Sequence, residues 1–139
     1  MKTKKIPRQN CSPINLISII SLPACSQSNP VSLEISYEDF LYEQHFTWAV
    51  NAEVGQTIVV TLGSNPTTGF TWPDTAQISN QKIVKQIDHN YISPQGNTAA
   101  GVSGKDVWTF KATEEGYLSL RSSINTKKYG IKIAYDDKR

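Results

Sequence analysis

Ile58-Val59-Val60-Thr61-Leu62-Gly63-Ser64-Asn65-Pro66-Thr67-Thr68-Gly69-Phe70-Thr71-Trp72 is an alternating apolar run, a six-residue loop rich in turn formers, and two aromatics of equal parity. Ile58, Val60 and Leu62 fall on one face of an extended chain. Pro66 fixes its own φ and has no N–H, Thr67 and Thr68 are β-branched with restricted χ1, and Gly69 can take the positive φ that a tight reversal needs. Such a loop has few conformations to lose on docking, and that ordering entropy is the main cost of using a loop as a ligand. A plain reverse turn uses the same residue types, but five specific residues in this strand context exceed what a turn requires. Phe70 and Trp72 are expected to enter the core from one strand.

Outward from this stretch, apolar alternation recurs with turn residues roughly every 8 to 15 positions. Val31, Leu33 and Ile35 alternate with Ser32, Glu34 and Ser36, and residues 46–50 lead into the turn Glu53-Val54-Gly55. Residues 83–91 read as a middle strand, followed by a polar, Gly-containing connection over 93–104. Trp108, Phe110 and Ala112 alternate with Val107, Thr109 and Lys111, and Glu114-Glu115-Gly116 reads as a hairpin turn into residues 117–121, where Leu118 and Leu120 share a face. Ile131, Ile133 and Tyr135 make the last strand. No stretch sustains a helical period. About seven short strands with Trp at strand-interior positions and no helix predict an all-β, immunoglobulin-like β-sandwich, whose loops gather at its two ends.

Lys2, Lys4, Lys5 and Arg8 precede an apolar run over residues 14–22, followed by Pro23, Ala24 and Cys25, the layout of a secretion signal. The run is far below the roughly 18 residues that cross a bilayer as a helix. Leu22-Pro23-Ala24-Cys25 resembles a bacterial lipobox, with Pro23 where a small or β-branched residue is usual. Processing there makes Cys25 a lipidated N-terminus at a membrane surface, and cleavage after a small residue such as Ala24 is the alternative. The chain is therefore expected to be exported, as a membrane-anchored lipoprotein or a periplasmic or extracellular protein.

The formal charge of +2 comes from the leader. Without its four cations, ten Lys and Arg face twelve Asp and Glu, a net −2, and no basic groove for nucleic acid is marked out. Cys11 and Cys25 are the only cysteines, so no disulfide staples the mature fold. Stability must come from a packed core, which about 110 residues are enough to build. His45 and His89 are the only histidines, neither in a metal-ligand spacing, and no nucleophile elbow is present. No catalytic residue, metal or cofactor is expected.

These residues resemble the chagasin family of cysteine-protease inhibitors across positions 52–135. The family's first motif, Asn-Pro-Thr-Thr-Gly and an aromatic, stands unaltered as Asn65, Pro66, Thr67, Thr68, Gly69 and Phe70, with Trp72 two positions on. The second, a Gly-rich loop before a strand with aromatic alternation, is represented by Gly101, Val102, Ser103 and Gly104. Ser103 stands where the family usually has Gly, a change the loop tolerates if Ser103 is not at positive φ. The third, Arg-Pro-Trp in the last interstrand loop, is not recognisable. Arg121 falls near the right place, but Ser122 and Ser123 replace Pro-Trp, which removes an aromatic anchor. Tyr129 is read as a strand residue, with an aromatic contact as the alternative.

The residues themselves are read as a signal peptide with a candidate lipobox over 1–25 and an N-terminal segment with the first strands over 26–50, to which the resemblance adds a chagasin-like inhibitor domain over 51–139 that forms one domain with 26–50. The resemblance implies a monomer that reversibly and non-covalently occludes the cleft of a papain-like cysteine protease. Thr67 and Thr68 would approach the catalytic pair with hydroxyl and backbone hydrogen bonds, while 101–104 and the Arg121 loop grip the walls. Asn65 would fold its amide back onto the loop's own backbone, and Phe70 would be the first core residue. The alternative is an immunoglobulin-like lipoprotein module that keeps the scaffold but binds another surface partner, as the missing Arg-Pro-Trp and Ser103 suggest.

Overall fold

A computed structural model describes residues 28–96, 99, 101–125 and 128–135. The leader, the lipobox and Cys25 lie outside the described residues. The chain forms β1 (Val31–Ile35), a one-turn helix α1 (Asp39–Tyr42), β2 (His45–Ala52), β3 (Thr57–Ser64), β4 (Gln77–Ile78), β5 (Val84–Ile92), β6 (Gly104–Ala112), β7 (Gly116–Asn125) and β8 (Lys128–Tyr135). The eight strands make two four-stranded sheets, ordered β1-β3-β6-β5 and β2-β7-β8-β4. Among the described residues, β1 with β3 and β4 with β8 pair in parallel and the other strand pairs are antiparallel. The architecture is the all-β, immunoglobulin-like sandwich that the alternation predicts.

The core follows from side-chain parity. Ile58, Val60 and Leu62 of β3 are fully buried, and in register beside them Phe110 lies across from Ile58 and Trp108 across from Val60. Val50 and Ala52 of β2, Leu118 and Leu120 of β7, and Ile131 and Ile133 of β8 close the core from the other sheet. Burying a side chain of this size contributes about 1.5–3 kcal/mol, so the absence of a disulfide is met by packing.

Three local readings are corrected in the strands and their connections. Glu114-Glu115-Gly116 is not a hairpin, because β6 and β7 belong to different sheets and the segment carries the chain across the sandwich. Phe70 and Trp72 are not on a strand: Phe70 sits in an isolated bridge to Asn65 outside the strands, and Pro73 follows, unable to donate to a ladder. Trp72 still reaches the core, its indole Nε1–H donating to the Gly63 carbonyl at 2.9 Å and its ring edge-on to Trp108 at 6.4 Å. Arg121 is not in a loop, since β7 continues to Asn125 and Arg121 pairs with Thr47 and Lys132 inside the sheet.

The chain is also not wholly without helix. Ser36 Oγ accepts from the Asp39 N–H at 3.2 Å, while the Ser36 N–H and hydroxyl donate to Asp39 Oδ2 at 3.1 and 2.7 Å. This reciprocal box starts α1, and burial of Phe40 holds it down.

Candidate functional site

One end of the sandwich collects the ends of β1, β3 and β5 and the start of β6. β3 delivers Ser64 and Asn65 as buried residues, and Pro66, Thr67, Thr68 and Gly69 then stand exposed. The tip Pro66–Thr68 is a single 3-10 turn, closed by Gly69 at φ 80°. Proline at the start of such a turn has no N–H to leave unsatisfied, and glycine at its end takes the left-handed conformation without a Cβ penalty. At the base, the Asn65 N–H donates to the Phe70 carbonyl at 2.7 Å and the Phe70 N–H donates back at 3.1 Å.

Asn65 organises this loop. Its carbonyl also accepts from the Thr68 N–H at 3.0 Å and the Thr68 hydroxyl at 2.9 Å, and its Oδ1 accepts from the Thr67 hydroxyl at 2.6 Å. Its Nδ2 does not return to the loop's own backbone, as expected from sequence, but donates to the Gly101 carbonyl at 2.8 Å. Both threonine hydroxyl protons are thereby committed inside the loop. What the threonines present outward is acceptor oxygen, methyl groups and backbone, and of the tip N–H groups only that of Thr67 lacks an internal partner among the described residues.

The second loop lies against the first. Gly101 sits at φ 100°, and Val102 is 47% exposed. No described non-glycine residue has positive φ, so Ser103 meets the condition for replacing glycine. Gly104 belongs to β6 and is buried, not a loop residue. A Cβ there would meet the Tyr91 hydroxyl and stand 2.6 Å from the Ile92 carbonyl, so glycine lets the end of β5 lie flat beside it. A groove of about 330 Å³ runs between Asn65, Pro66 and Thr67 on one side and Tyr91, Pro94, Ala99, Gly101 and Val102 on the other.

The structure thus brings together residues 65–70 and 101–104. It does not bring Arg121 to them. Arg121 is exposed in mid-strand, and the neighbouring Ser122, where the Pro of Arg-Pro-Trp was sought, is fully buried.

An aromatic platform that sequence reading missed supports the tip. Phe70 lies edge-on to Tyr37 at 5.0 Å, and Phe40 contacts Phe46 at 5.1 Å, Trp72 at 5.1 Å and Phe70 at 6.0 Å. The signal was Ser36-x-x-Asp39 ahead of Phe40, a helix start inside an otherwise β-patterned chain.

His89 sits half-buried on β5. Its Nε2 lies 2.9 Å from the buried Asp106 Oδ1, its Nδ1 lies 3.5 Å from Asp74, and its ring packs on Trp108 at 4.8 Å. No group of three or more His, Cys, Asp or Glu side chains among the described residues could hold a metal ion.

Comparison with known proteins rests on the same segment. The family model "Chagasin family peptidase inhibitor I42" matches residues 51–124, more than half of the chain. The chain belongs to the chagasin family. Its membership makes it a peptidase-inhibitor domain of a family directed at cysteine proteases. The matched segment contains both loops of the candidate site and ends inside β7, while α1 lies outside it. No curated protein matches the chain. Among solved structures, the chain is similar to the solution structure of amebosin, at 16% identity and a TM-score of 0.41, covering 75% of this chain and 95% of that one.

Proposed function

We propose that this chagasin-family chain is a reversible, non-covalent inhibitor of papain-like cysteine proteases that fills the active-site cleft with the 65–70 tip. The observation that carries the reading is that the tip is exposed yet internally bonded at almost every donor. A protease that pairs a Cys thiolate with His attacks a carbonyl presented along its cleft. Peptides recognised through their main chain are typically extended. A 3-10 turn with i to i+3 bonds holds its carbonyls in a different arrangement, so the tip blocks the catalytic pair without offering a cleavable strand. The loop at 101–103, tied to it through Asn65, covers one wall.

The export leader and a lipid anchor on Cys25 belong to the same proposal and would place a monomeric inhibitor outside the cytoplasm. The test is titration of the full chain against several papain-like enzymes, beside a Thr67→Ala/Thr68→Ala variant. Sub-micromolar inhibition by the parent, its recovery uncut, and a marked loss in the variant support the reading. No inhibition at high micromolar concentration across the panel counts decisively against it.

One observation favours a second reading. The position of the Arg-Pro-Trp anchor is absorbed into β7, so the scaffold is also compatible with a module for another surface partner. Binding to a purified partner that survives the double threonine substitution would establish that alternative.

A further inference from the structure

We infer that α1 is a further protease-contacting element, in which Leu41 and Tyr42 pack on an apolar patch rimmed by basic residues beside the protease cleft. The inference rests on the inhibitor reading above and adds a surface to it.

Leu41 is 65% exposed and Tyr42 88% exposed, although their neighbour Phe40 is buried. One helical turn with Phe40 facing inward leaves the next two side chains facing out. The turn is short but firmly placed. Besides the Ser36 and Asp39 box, the Leu41 N–H donates to the Glu38 carbonyl and the Glu43 N–H to the Asp39 carbonyl, each at 3.0 Å. Beneath it, the Tyr37 backbone lies so close to Gly63 that a Cβ there would come 2.6 Å from Tyr37 Cα. Two large apolar side chains held exposed on a braced turn have lost much of their freedom before docking, which lowers the entropic cost of using them.

The placement is continuous with the inhibitory tip. β1 runs parallel to β3, with Ile35 opposite Leu62, so the chain leaves β1 at the end where β3 enters the 65–70 loop. Phe40 lies 6.0 Å from Phe70, the residue that closes that loop. On its other side, α1 leads into His45, opposite Ser123 of β7, and Phe46, opposite the buried Ser122. These are the two serines that stand where the family has Pro-Trp. The flank that lacks this aromatic is therefore bordered by the start of β2, the strand into which α1 and Tyr42 lead. Asp39, Glu38 and Glu43 are exposed around the apolar pair, and charge complementarity calls for Lys or Arg around the patch that receives it.

The test compares the full-length parent with Tyr42→Ala, Leu41→Ala/Tyr42→Ala, Tyr42→Phe and Thr67→Ala/Thr68→Ala, measuring the inhibition constant and dissociation rate on an inhibited papain-like protease. Leu41 and Tyr42 are exposed, so the thermal midpoints should match the parent. The expected result is a loss of at least about tenfold for the Leu41/Tyr42 double variant, mainly through faster dissociation, with Tyr42→Phe within about threefold of the parent. If that double variant inhibits within about twofold of the parent while the threonine variant fails, α1 is inert and the inference falls, but the tip reading stands. If the parent inhibits no enzyme of the panel, the inhibitor reading itself fails and the inference falls with it.

Discussion

Asn65 and Gly101, 36 residues apart, are joined by a 2.8 Å hydrogen bond from a carboxamide that is almost wholly buried. The two loops of the candidate site are therefore one bonded unit, and the residue that joins them belongs to the first motif but points at the second. Replacing Asn65 with Asp swaps the Nδ2 donor for an acceptor facing the Gly101 carbonyl. The expected cost is about 1–3 kcal/mol of stability, read from the urea midpoint at unchanged m value. Inhibition should weaken as well, because Thr67 and the second loop lose their common brace. A variant with parental stability and inhibition would show that the bond positions nothing.

Gly63 marks where the aromatic platform meets the base of the tip. A Cβ at this position would run into the Tyr37 backbone and stand 2.8 Å from the Ser36 carbonyl carbon, and backbone atoms cannot turn aside as a flexible side chain can. Gly63→Ala should therefore destabilise by more than Gly69→Ala. The latter finds open space and carries only the left-handed backbone penalty of about 1–2 kcal/mol. Thermal midpoints of the two variants decide it, and an equal or reversed order would contradict the close approach.

What the sequence made legible was whatever depends on parity and local turn chemistry. Ile58, Val60 and Leu62 announce β3, Trp108 and Phe110 announce β6, and the Pro66 to Gly69 composition announces a stiff reversal. What it hid depends on which sheet a strand joins. Glu114-Glu115-Gly116 has the composition of a hairpin turn, yet it crosses the sandwich, because that choice is made by long-range pairing of β7 with β2 and β8. Asn65 was legible as a brace but not as a bridge, since its partner is distant in the chain. α1 was hidden because a single turn fixed by Phe40 burial is too short to show a helical period.

His89 holds the one buried carboxylate among the described residues. Asp106 is 5% exposed and has His89 Nε2 at 2.9 Å. His89→Ala leaves that carboxylate without its partner in a site lined by Trp108, and an unpaired buried polar group costs about 1–3 kcal/mol, more when charged. His89→Ala/Asp106→Ala removes both ends of the contact. The double variant should lose less stability than the two single losses summed, a coupling measurable in a denaturation cycle. Strict additivity would mean the two side chains do not interact.

Arg121 and Leu120 are adjacent on β7 but face opposite ways, one exposed and the other fully buried. Leu120→Ala should cost about 2–5 kcal/mol through lost burial and the cavity left in the core. Arg121→Ala removes an exposed side chain in mid-strand, in register with Thr47 and Lys132, and should leave stability within about 0.5 kcal/mol of the parent. Since Arg121 stands exposed in mid-strand, outside the groove formed by the tip and the second loop, its removal should also leave the inhibition constant within about twofold, below the level at which an interface residue counts as a contributor. A tenfold loss on Arg121→Ala, with parental stability, would show that the protease reaches down the face of the second sheet and that the third family motif survives here in its arginine alone.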